Sequence, residues 1–299
     1  MPVDWSGAPV PPDEAQWAAA LYDLDNDAPL SAGGPGTDDV EWFRALAQRL
    51  GGPVLEIGCG TGRIAVPLAL DGHRVVGIDR SAAMLSRARR RSGAAVGVEY
   101  REGDAVALAL GEKFQLIVIA FNTFLEFEPE GRAACLASVR AHLLPRGRVA
   151  LDVFQPDPTG TGAAEGLLVE DWTRRDPLTG HEVTKFTSSR TSAERTLVSV
   201  RYDEVGDDRS VRRMQRRVTL HHLYRREAEL LFAQAGLPIE SVHGDFDGSP
   251  AGEHSARLLI VAGFPRPNGN SGRAGPAPAQ ARPRRSAPAG RAAGSGPGV

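Results

Sequence analysis

Val54-Leu55-Glu56-Ile57-Gly58-Cys59-Gly60-Thr61-Gly62-Arg63 decides the fold of this 299-residue chain. A short apolar stretch that reads as a buried strand delivers an acid, and three glycines spaced two apart follow it. A turn this tight needs backbone without a Cβ, for left-handed dihedrals and for close approach of a ligand. The spacing then predicts a helix over 63–70. Pro67 suits it only in the first turn, where a missing N–H costs little. The order strand, glycine turn, helix puts the turn at the carboxyl end of a strand, where open α/β sheets bind ligands.

The flanking chain continues the alternation. An amphipathic helix over 38–50 carries Val40, Phe43, Leu46, Ala47 and Leu50 on one face, with Thr37 or Asp38 as cap and Gly51-Gly52 as stop. A buried strand over 74–78 precedes a helix from Ser81 to about 91, whose apolar side is Met84, Leu85 and Ala88. Strands over 96–101 and 114–120, a helix over 129–144, a turn at Leu144-Pro145-Arg146-Gly147 and a strand over 148–154 complete the pattern. It predicts an α/β fold with a doubly wound, mostly parallel sheet. After 158 the period becomes two, at 167–173, 183–191, 195–204 and 211–222, which predicts an antiparallel insertion after strand five. A helix over 225–235 and strands over 239–244 and 257–263 close the fold. The divisions are an N-terminal segment with a lid helix (1–36), a core (37–158), the insertion (159–223), the core's completion (224–264) and a tail (265–299).

Composition bounds the alternatives. At 41% hydrophobic and 24% charged the chain is globular. Residues 265–299 hold six arginines and no acid, with no apolar periodicity, and read as a disordered basic tail. Setting those six aside leaves 29 basic against 37 acidic residues, an acidic body that argues against nucleic-acid binding. Two cysteines write no disulfide framework. No apolar run approaches the roughly 18 residues of a membrane span, and no secretion signal is read at the start, so a cytoplasmic location is expected. No metal-ligand spacing is present, and no metal is expected.

The glycine turn discriminates between cofactors. A dinucleotide prefers G-x-G-x-x-G; here the third glycine comes one residue early. Glu56 also projects negative charge that a diphosphate would resist and an ammonium would welcome. The second strand ends in Gly77-Ile78-Asp79, which places a carboxylate for two ribose hydroxyls. A ribose with a zwitterionic arm and no phosphate describes S-adenosylmethionine. E-x-G-C-G-T-G followed by G-I-D resembles the first two motifs of the class I S-adenosylmethionine-dependent methyltransferases, which have a Rossmann-like fold. Glu102-Gly103-Asp104-Ala105 resembles the turn after strand three, Phe121-Asn122-Thr123 the segment after strand four, and Leu144–Arg148 the turn before strand five, with Arg146 where the family usually has glycine. The likeness extends to the bacterial small-molecule type with an antiparallel lid, through Tyr22-Asp23 and Gly244–Ser249.

The resemblance implies roles. Glu56, Gly58, Gly60 and Arg63 surround the methionine portion, Asp79 holds the ribose, Arg80 and Met84 flank the adenine, and Asp104 and Ala105 meet its edge. Tyr22 is a candidate aromatic lid over the sulfonium, worth roughly 0.5–2 kcal/mol if it stacks; helix packing explains it equally well. Phe121 and Asn122 line the channel where methyl and acceptor meet. Asp245 is a candidate acceptor contact, or simply an Asx turn. Burial keeps Cys59 inert. His221 and His222 point to opposite faces of a regular strand; His222 and Tyr224 share one, and that pair is preferred as catalytic. The expected activity is in-line methyl transfer to N or O of a small molecule, a natural-product intermediate among the candidates, releasing S-adenosylhomocysteine. The expected state is a monomer, or a homodimer through the insertion. Alternatives are a peptide or protein N-methyltransferase, a non-catalytic binding protein of this fold, and, disfavoured by the glycine spacing, a dinucleotide oxidoreductase.

Overall fold

The computed structural model describes residues 12–26, 38–93, 97–156, 166–252 and 255–265. The predicted tail beyond 265 and the alternative cap Thr37 lie outside these residues. Helices are α1 (Pro12–Asn26), α2 (Asp38–Leu50), α3 (Ala65–Leu70), α4 (Ala82–Ser92), α5 (Pro129–His142) and α6 (Arg225–Gln234). Strands are β1 (Val54–Ile57), β2 (Val75–Asp79), β3 (Val98–Glu102), β4 (Phe114–Ile119), β5 (Leu143–Phe154), β6 (Val169–Arg175), β7 (Glu182–Thr191), β8 (Arg195–Val205), β9 (Val211–His221), β10 (Ile239–His243) and β11 (Arg257–Gly263).

The large sheet has the order β10-β11-β5-β4-β1-β2-β3. Neighbours among β1 to β5 pair in parallel, and β11 pairs antiparallel with both β5 and β10. Successive connections run outward in opposite directions from β1 and β4, so the crevice above their carboxyl ends is the switch point of the sheet. The parallel strands are apolar because helices cover both faces: Leu55, Val76, Ile117, Ile119 and Leu151 are fully buried.

Local chemistry explains the element ends. Ser81 Oγ accepts the Met84 N–H at 3.3 Å and starts α4. Helix α3 begins at Ala65, two residues later than its pattern suggests, and Pro67 falls in its first turn. The turn expected at 144–147 is instead taken into an irregular start of β5, where the β4–β5 register shifts.

The smaller sheet, β6-β7-β8-β9, is antiparallel throughout. Helix α1 covers part of one face. Leu21 packs with Val183 and Tyr202, ringed by Trp17, Leu24, Trp172, Val200 and Met214. Asp25 accepts from Trp172 Nε1 at 2.9 Å and Tyr202 Oη at 3.0 Å, and pairs with Lys185 at 2.8 Å. Two residues earlier, Asp23 pairs with Arg87 at 2.5 Å and Arg91 at 3.0 Å on α4. One helix thus ties the insertion to the core. No helix among the described residues is long and apolar enough to cross a membrane.

Candidate active site

The crevice is built from the turn after β1. Gly58 has φ +71°, and a Cβ there would lie 2.5 Å from the Thr123 methyl carbon. Gly60 has φ +52°, and the space its Cβ would enter holds no other atom within 4 Å, so bare backbone faces the crevice. The Gly60 N–H donates to Asp79 at 2.9 Å, and the Ser81 N–H donates to the other Asp79 oxygen at 2.8 Å. Each oxygen keeps acceptor capacity, because a carboxylate offers about four lone-pair sites. Burial holds Asp79 above the usual carboxylate range, against the pull of those two N–H groups.

Glu56 is 3% exposed, and its Oε2 has no hydrogen-bond partner. Burial pushes its pKa up to about 8, although the Arg63 guanidinium pulls it down. Thr61 Oγ1, on the same turn, is a second buried polar atom without a partner. Leaving such a group unpaired costs about 1–3 kcal/mol. Among the described residues, two unsatisfied side-chain atoms in one six-residue stretch beside open backbone mark a place shaped for a polar ligand. A carboxyl awaiting a cation, bare amide backbone and a second carboxylate one strand over suit the ammonium and ribose of S-adenosylmethionine. These residues therefore fit that cofactor.

Arg63 does not point freely into the crevice. Asp39, 6% exposed on α2, grips its guanidinium through both oxygens. The guanidinium also lies 4.8 Å from the Phe121 ring centroid. Tyr22 joins this cluster. Burial pushes its hydroxyl pKa up to about 12, with Arg63 and Glu56 close enough to act on it electrostatically.

The segment after β4 is strained. Phe121 and Asn122 are consecutive non-glycine residues with φ +57° and +63°. Such conformations cost of order 1–3 kcal/mol each and persist only when neighbours enforce them. Here β5 does so. Asp152 Oδ1 accepts the Phe121 N–H at 2.7 Å, and Asn122 Oδ1 accepts the Phe154 N–H at 2.7 Å. Asp152 is buried, and burial pushes its pKa up to about 6. Phe121 is 37% exposed over the crevice. The Asn122 side-chain oxygen is thus engaged by the backbone of β5.

Glu56, Gly58, Gly60, Arg63, Asp79, Tyr22 and Phe121 therefore come together. Met84 is half-buried on α4, while Ala83, Leu85 and Ala88 form the buried side, which corrects the expected apolar face. Asp104 is exposed and accepts the Val106 N–H at 3.1 Å, a turn cap beside the buried Ala105. Cys59 is buried, and burial with Glu56 nearby raises its pKa well above the usual thiol range.

The preferred pair His222 and Tyr224 is not in the crevice. His222 is 4% exposed; Nε2 lies 2.9 Å from Thr196 Oγ1 and Nδ1 lies 3.3 Å from the Ala193 carbonyl oxygen. The Tyr224 hydroxyl donates to the same carbonyl at 3.0 Å. Regular β9 pairing ends at His221, which is half-buried and lines a cavity, whereas His222 is buried with its ring centroid 6.0 Å from that of Phe154. Asp245 is likewise held in its own turn, bonded to the Phe246 N–H at 2.8 Å and paired with Arg257 at 3.3 Å.

Sequence reasoning missed four residues. Asp39 is one of three acids in the first turn of α2, and nothing in the sequence sets it apart from the other two. Asp152 had a readable signal, a lone carboxylate within an apolar strand. Thr61 was passed over between its glycines. Arg132, 1% exposed, donates to the Phe124 carbonyl at 3.3 Å, the His222 carbonyl at 2.9 Å and the His221 carbonyl. It had no sequence signal, because its partners are backbone atoms distant in the chain. Among the described residues no group of three or more His, Cys, Asp or Glu side chains is placed to hold a metal.

Known proteins share this arrangement. A family model described as a methyltransferase domain matches residues 54–147, from β1 into β5. The chain is 28% identical over 228 residues to the cypemycin N-terminal methyltransferase of a Streptomyces species, across 76% of this chain and 89% of that one. It is 29% identical over 212 residues to the dTDP-3-amino-3,6-dideoxy-alpha-D-glucopyranose N,N-dimethyltransferase of Streptomyces fradiae, across 68% and 79%. Its fold matches the CcbJ methyltransferase of Streptomyces caelestis with a TM-score of 0.64 at 25% identity, covering 82% of this chain and 96% of that one. With the motifs in order and the turn shaped as described, the chain is similar to the class I S-adenosylmethionine-dependent methyltransferases.

Proposed function

We propose that this enzyme transfers a methyl group from S-adenosylmethionine to nitrogen or oxygen of a small molecule, with an amine nitrogen as the favoured acceptor. The observation that carries the reading is the buried, unpartnered Glu56 oxygen beside the open backbone of Gly60. When bound, S-adenosylmethionine supplies a sulfonium-activated methyl group, and S-adenosylhomocysteine is the product.

The chain's own residues bind, orient and exclude water. Glu56 receives the cofactor's ammonium and gives up its proton as it does so. Asp79 takes the ribose hydroxyls on the lone pairs that Gly60 and Ser81 leave free. Tyr22 closes this end from α1, and Phe121 adds an exposed aromatic face from the strained turn. Such alignment can supply on the order of 7–11 kcal/mol of the barrier. An amine needs only to arrive neutral, with its lone pair directed at the methyl carbon. A hydroxyl needs a base, and the imidazole expected for that role, His222, is engaged with Thr196 and Ala193. Two relatives named for N-methylation support the same choice. The likeness to the cypemycin enzyme favours a peptide amino terminus as second reading.

The test is incubation of purified protein with methyl-labelled S-adenosylmethionine and a panel of amino sugars, small amines, phenols and short peptides, read by mass spectrometry. Methylation of amines in preference to hydroxyls is expected. Methylation of hydroxyls alone would overturn the nitrogen assignment, and failure to bind S-adenosylmethionine or S-adenosylhomocysteine would overturn the whole reading.

A further inference from the structure

One buried side chain spans the place where the insertion rejoins the core. Arg132, near the start of α5, is 1% exposed. Its Nε donates to the Phe124 carbonyl at 3.3 Å, its Nη1 to the His222 carbonyl at 2.9 Å and its Nη2 to the His221 carbonyl. Burial pushes its pKa below the usual guanidinium range, and the half-exposed Glu227, 3.6 Å away, offsets this only in part. A buried cation is thus held by main-chain oxygens of two separate segments. The guanidinium is a planar fork of fixed geometry. Its partners are backbone carbonyls, so no side-chain rotation on their side can absorb a displacement.

Where the two segments lead separates a positioning role from a simple staple. Phe124 sits in the turn Thr123–Leu125, directly after the left-handed pair Phe121 and Asn122. Thr123 packs on the glycine turn without slack, since a Cβ on Gly58 would come within 2.5 Å of its methyl carbon. His221 ends β9, and Arg216 stands five residues earlier on that strand. Burial dominates the ionisation of Asp79, and the Arg216 guanidinium also acts on it, so β9 overhangs the cofactor's end of the crevice. At about 3.3 Å per residue Arg216 is roughly 17 Å from the joint, and a tilt of about 3° moves it about 1 Å. Misplacement on that scale can cost about 10²-fold in rate. We propose that Arg132 is a positioning residue for methyl transfer, which sets the insertion over the crevice by tying the end of β9 to the turn packed on Gly58. It acts through the Phe124, His221 and His222 carbonyls and not on the reacting atoms. Tight packing passes displacements on, so a cofactor that settles the glycine turn also settles β9. The inference rests on the methyl-transfer reading and adds to it the residue that aligns the insertion.

The test combines calorimetry, hydrogen exchange and kinetics on the full chain. Arg132→Lys keeps the charge but lacks the fork that spans three carbonyls. Thr123→Ser removes the methyl group against Gly58 and breaks the same path at its other end. Affinity of Arg132→Lys for S-adenosylhomocysteine is expected within about threefold of wild type, because Glu56, Gly60 and Asp79 are untouched. In wild type, S-adenosylhomocysteine should slow exchange both at 121–125 and along β9. In Arg132→Lys the slowing at 121–125 should persist and that along β9 should disappear, and Thr123→Ser should also lose the slowing along β9. A lost staple alone would instead quicken β9 equally with and without ligand. With the amine that the panel above methylates fastest, kcat of Arg132→Lys should fall about 10²-fold while KM for S-adenosylmethionine changes less than about threefold. Slowing along β9 that is absent in wild type or survives in both variants, or an unchanged kcat, would overturn the proposal. Thermal melting identifies a variant that fails to fold, and the other variant then decides. If wild type does not bind S-adenosylhomocysteine, the enzyme reading falls, and the ligand-free chains still read the joint. There Arg132→Lys should quicken exchange at 121–125 and 219–224 together, and quickening of one segment alone would sink it.

Discussion

The two sheets of this molecule are held by different forces. The large sheet is buried on both faces, and β1, β4 and most of β5 have almost no exposed side chain. The small sheet is half exposed along β6, β8 and β9, and its apolar cluster is small. Its polar attachments to the core include helix α1, where Asp25 holds the insertion and Asp23 holds α4, and Arg132, which holds the end of β9. Burial without hydrogen-bond direction gives the core rigidity, whereas ionic contacts near water give the insertion adjustability. Glu56 and Asp79 sit on the first region.

The largest expected effect probes the rigid half. Glu56→Gln removes the buried carboxylate that meets the cofactor's ammonium. Breaking such a pair costs about 3–5 kcal/mol, so affinity for S-adenosylmethionine should fall on the order of 10²-fold or more by calorimetry. The same variant should be more stable without cofactor. A carboxyl whose folded pKa is raised to about 8 holds its proton more tightly folded than unfolded. Its contribution to stability is therefore lost as pH rises from the ordinary carboxylate range toward and past 8. At pH 8 the glutamine escapes that loss, and a rise in Tm of roughly 2–4 °C for each kcal/mol is expected.

Next comes the adjustable half. Asp25→Ala leaves Trp172, Lys185 and Tyr202 without their shared acceptor. A loosening of about 2–3 kcal/mol confined to the insertion is expected. Hydrogen exchange should quicken in β7 and β8 and stay unchanged in β1 and β4. Equal quickening in both sheets would erase the distinction drawn between them.

A smaller effect is the pH dependence of cofactor binding. Below about 8 Glu56 is mostly protonated in the free protein, so binding must release that proton. Affinity should rise by about tenfold per pH unit toward 8 and level off above it, and heats measured in buffers of different ionisation enthalpy should report the released proton. The smallest effect is assigned to His222→Ala. Its ring is packed and bonded away from the crevice, so kcat should change by less than about threefold while stability falls by about 1–2 kcal/mol. A hundredfold fall in kcat at unchanged Tm would return His222 to the chemistry.

Much of the core was legible because its signals are local. Periodicity, the Ser81 cap and the glycine spacing each act within a few residues, and β1, α4 and the insertion's strands fall within two or three residues of their patterns. The places of Glu56 and Asp79 were legible for the same reason, since Asp79 ends β2 and Glu56 stands one residue before the end of β1. The acceptor side was not. Asn122 was expected to line the channel to the acceptor, and its side-chain oxygen accepts the Phe154 N–H of β5, a partner 32 residues away that no local pattern records. His222 was preferred over His221 because it shares a strand face with Tyr224, and its burial against Thr196 depends on β8, a partner that periodicity does not record. Arg132 and Asp39 act across long chain separations, where no pattern in the sequence records the partner.

The left-handed pair at 121 and 122 has a consequence for engineering. Glycine at position 121 would relax the turn and remove the aromatic ledge in the same stroke, so thermal tolerance and turnover should move in opposite directions there. The turn behaves as a loaded spring latched by the fifth strand. Selection for robustness alone would tend to release it.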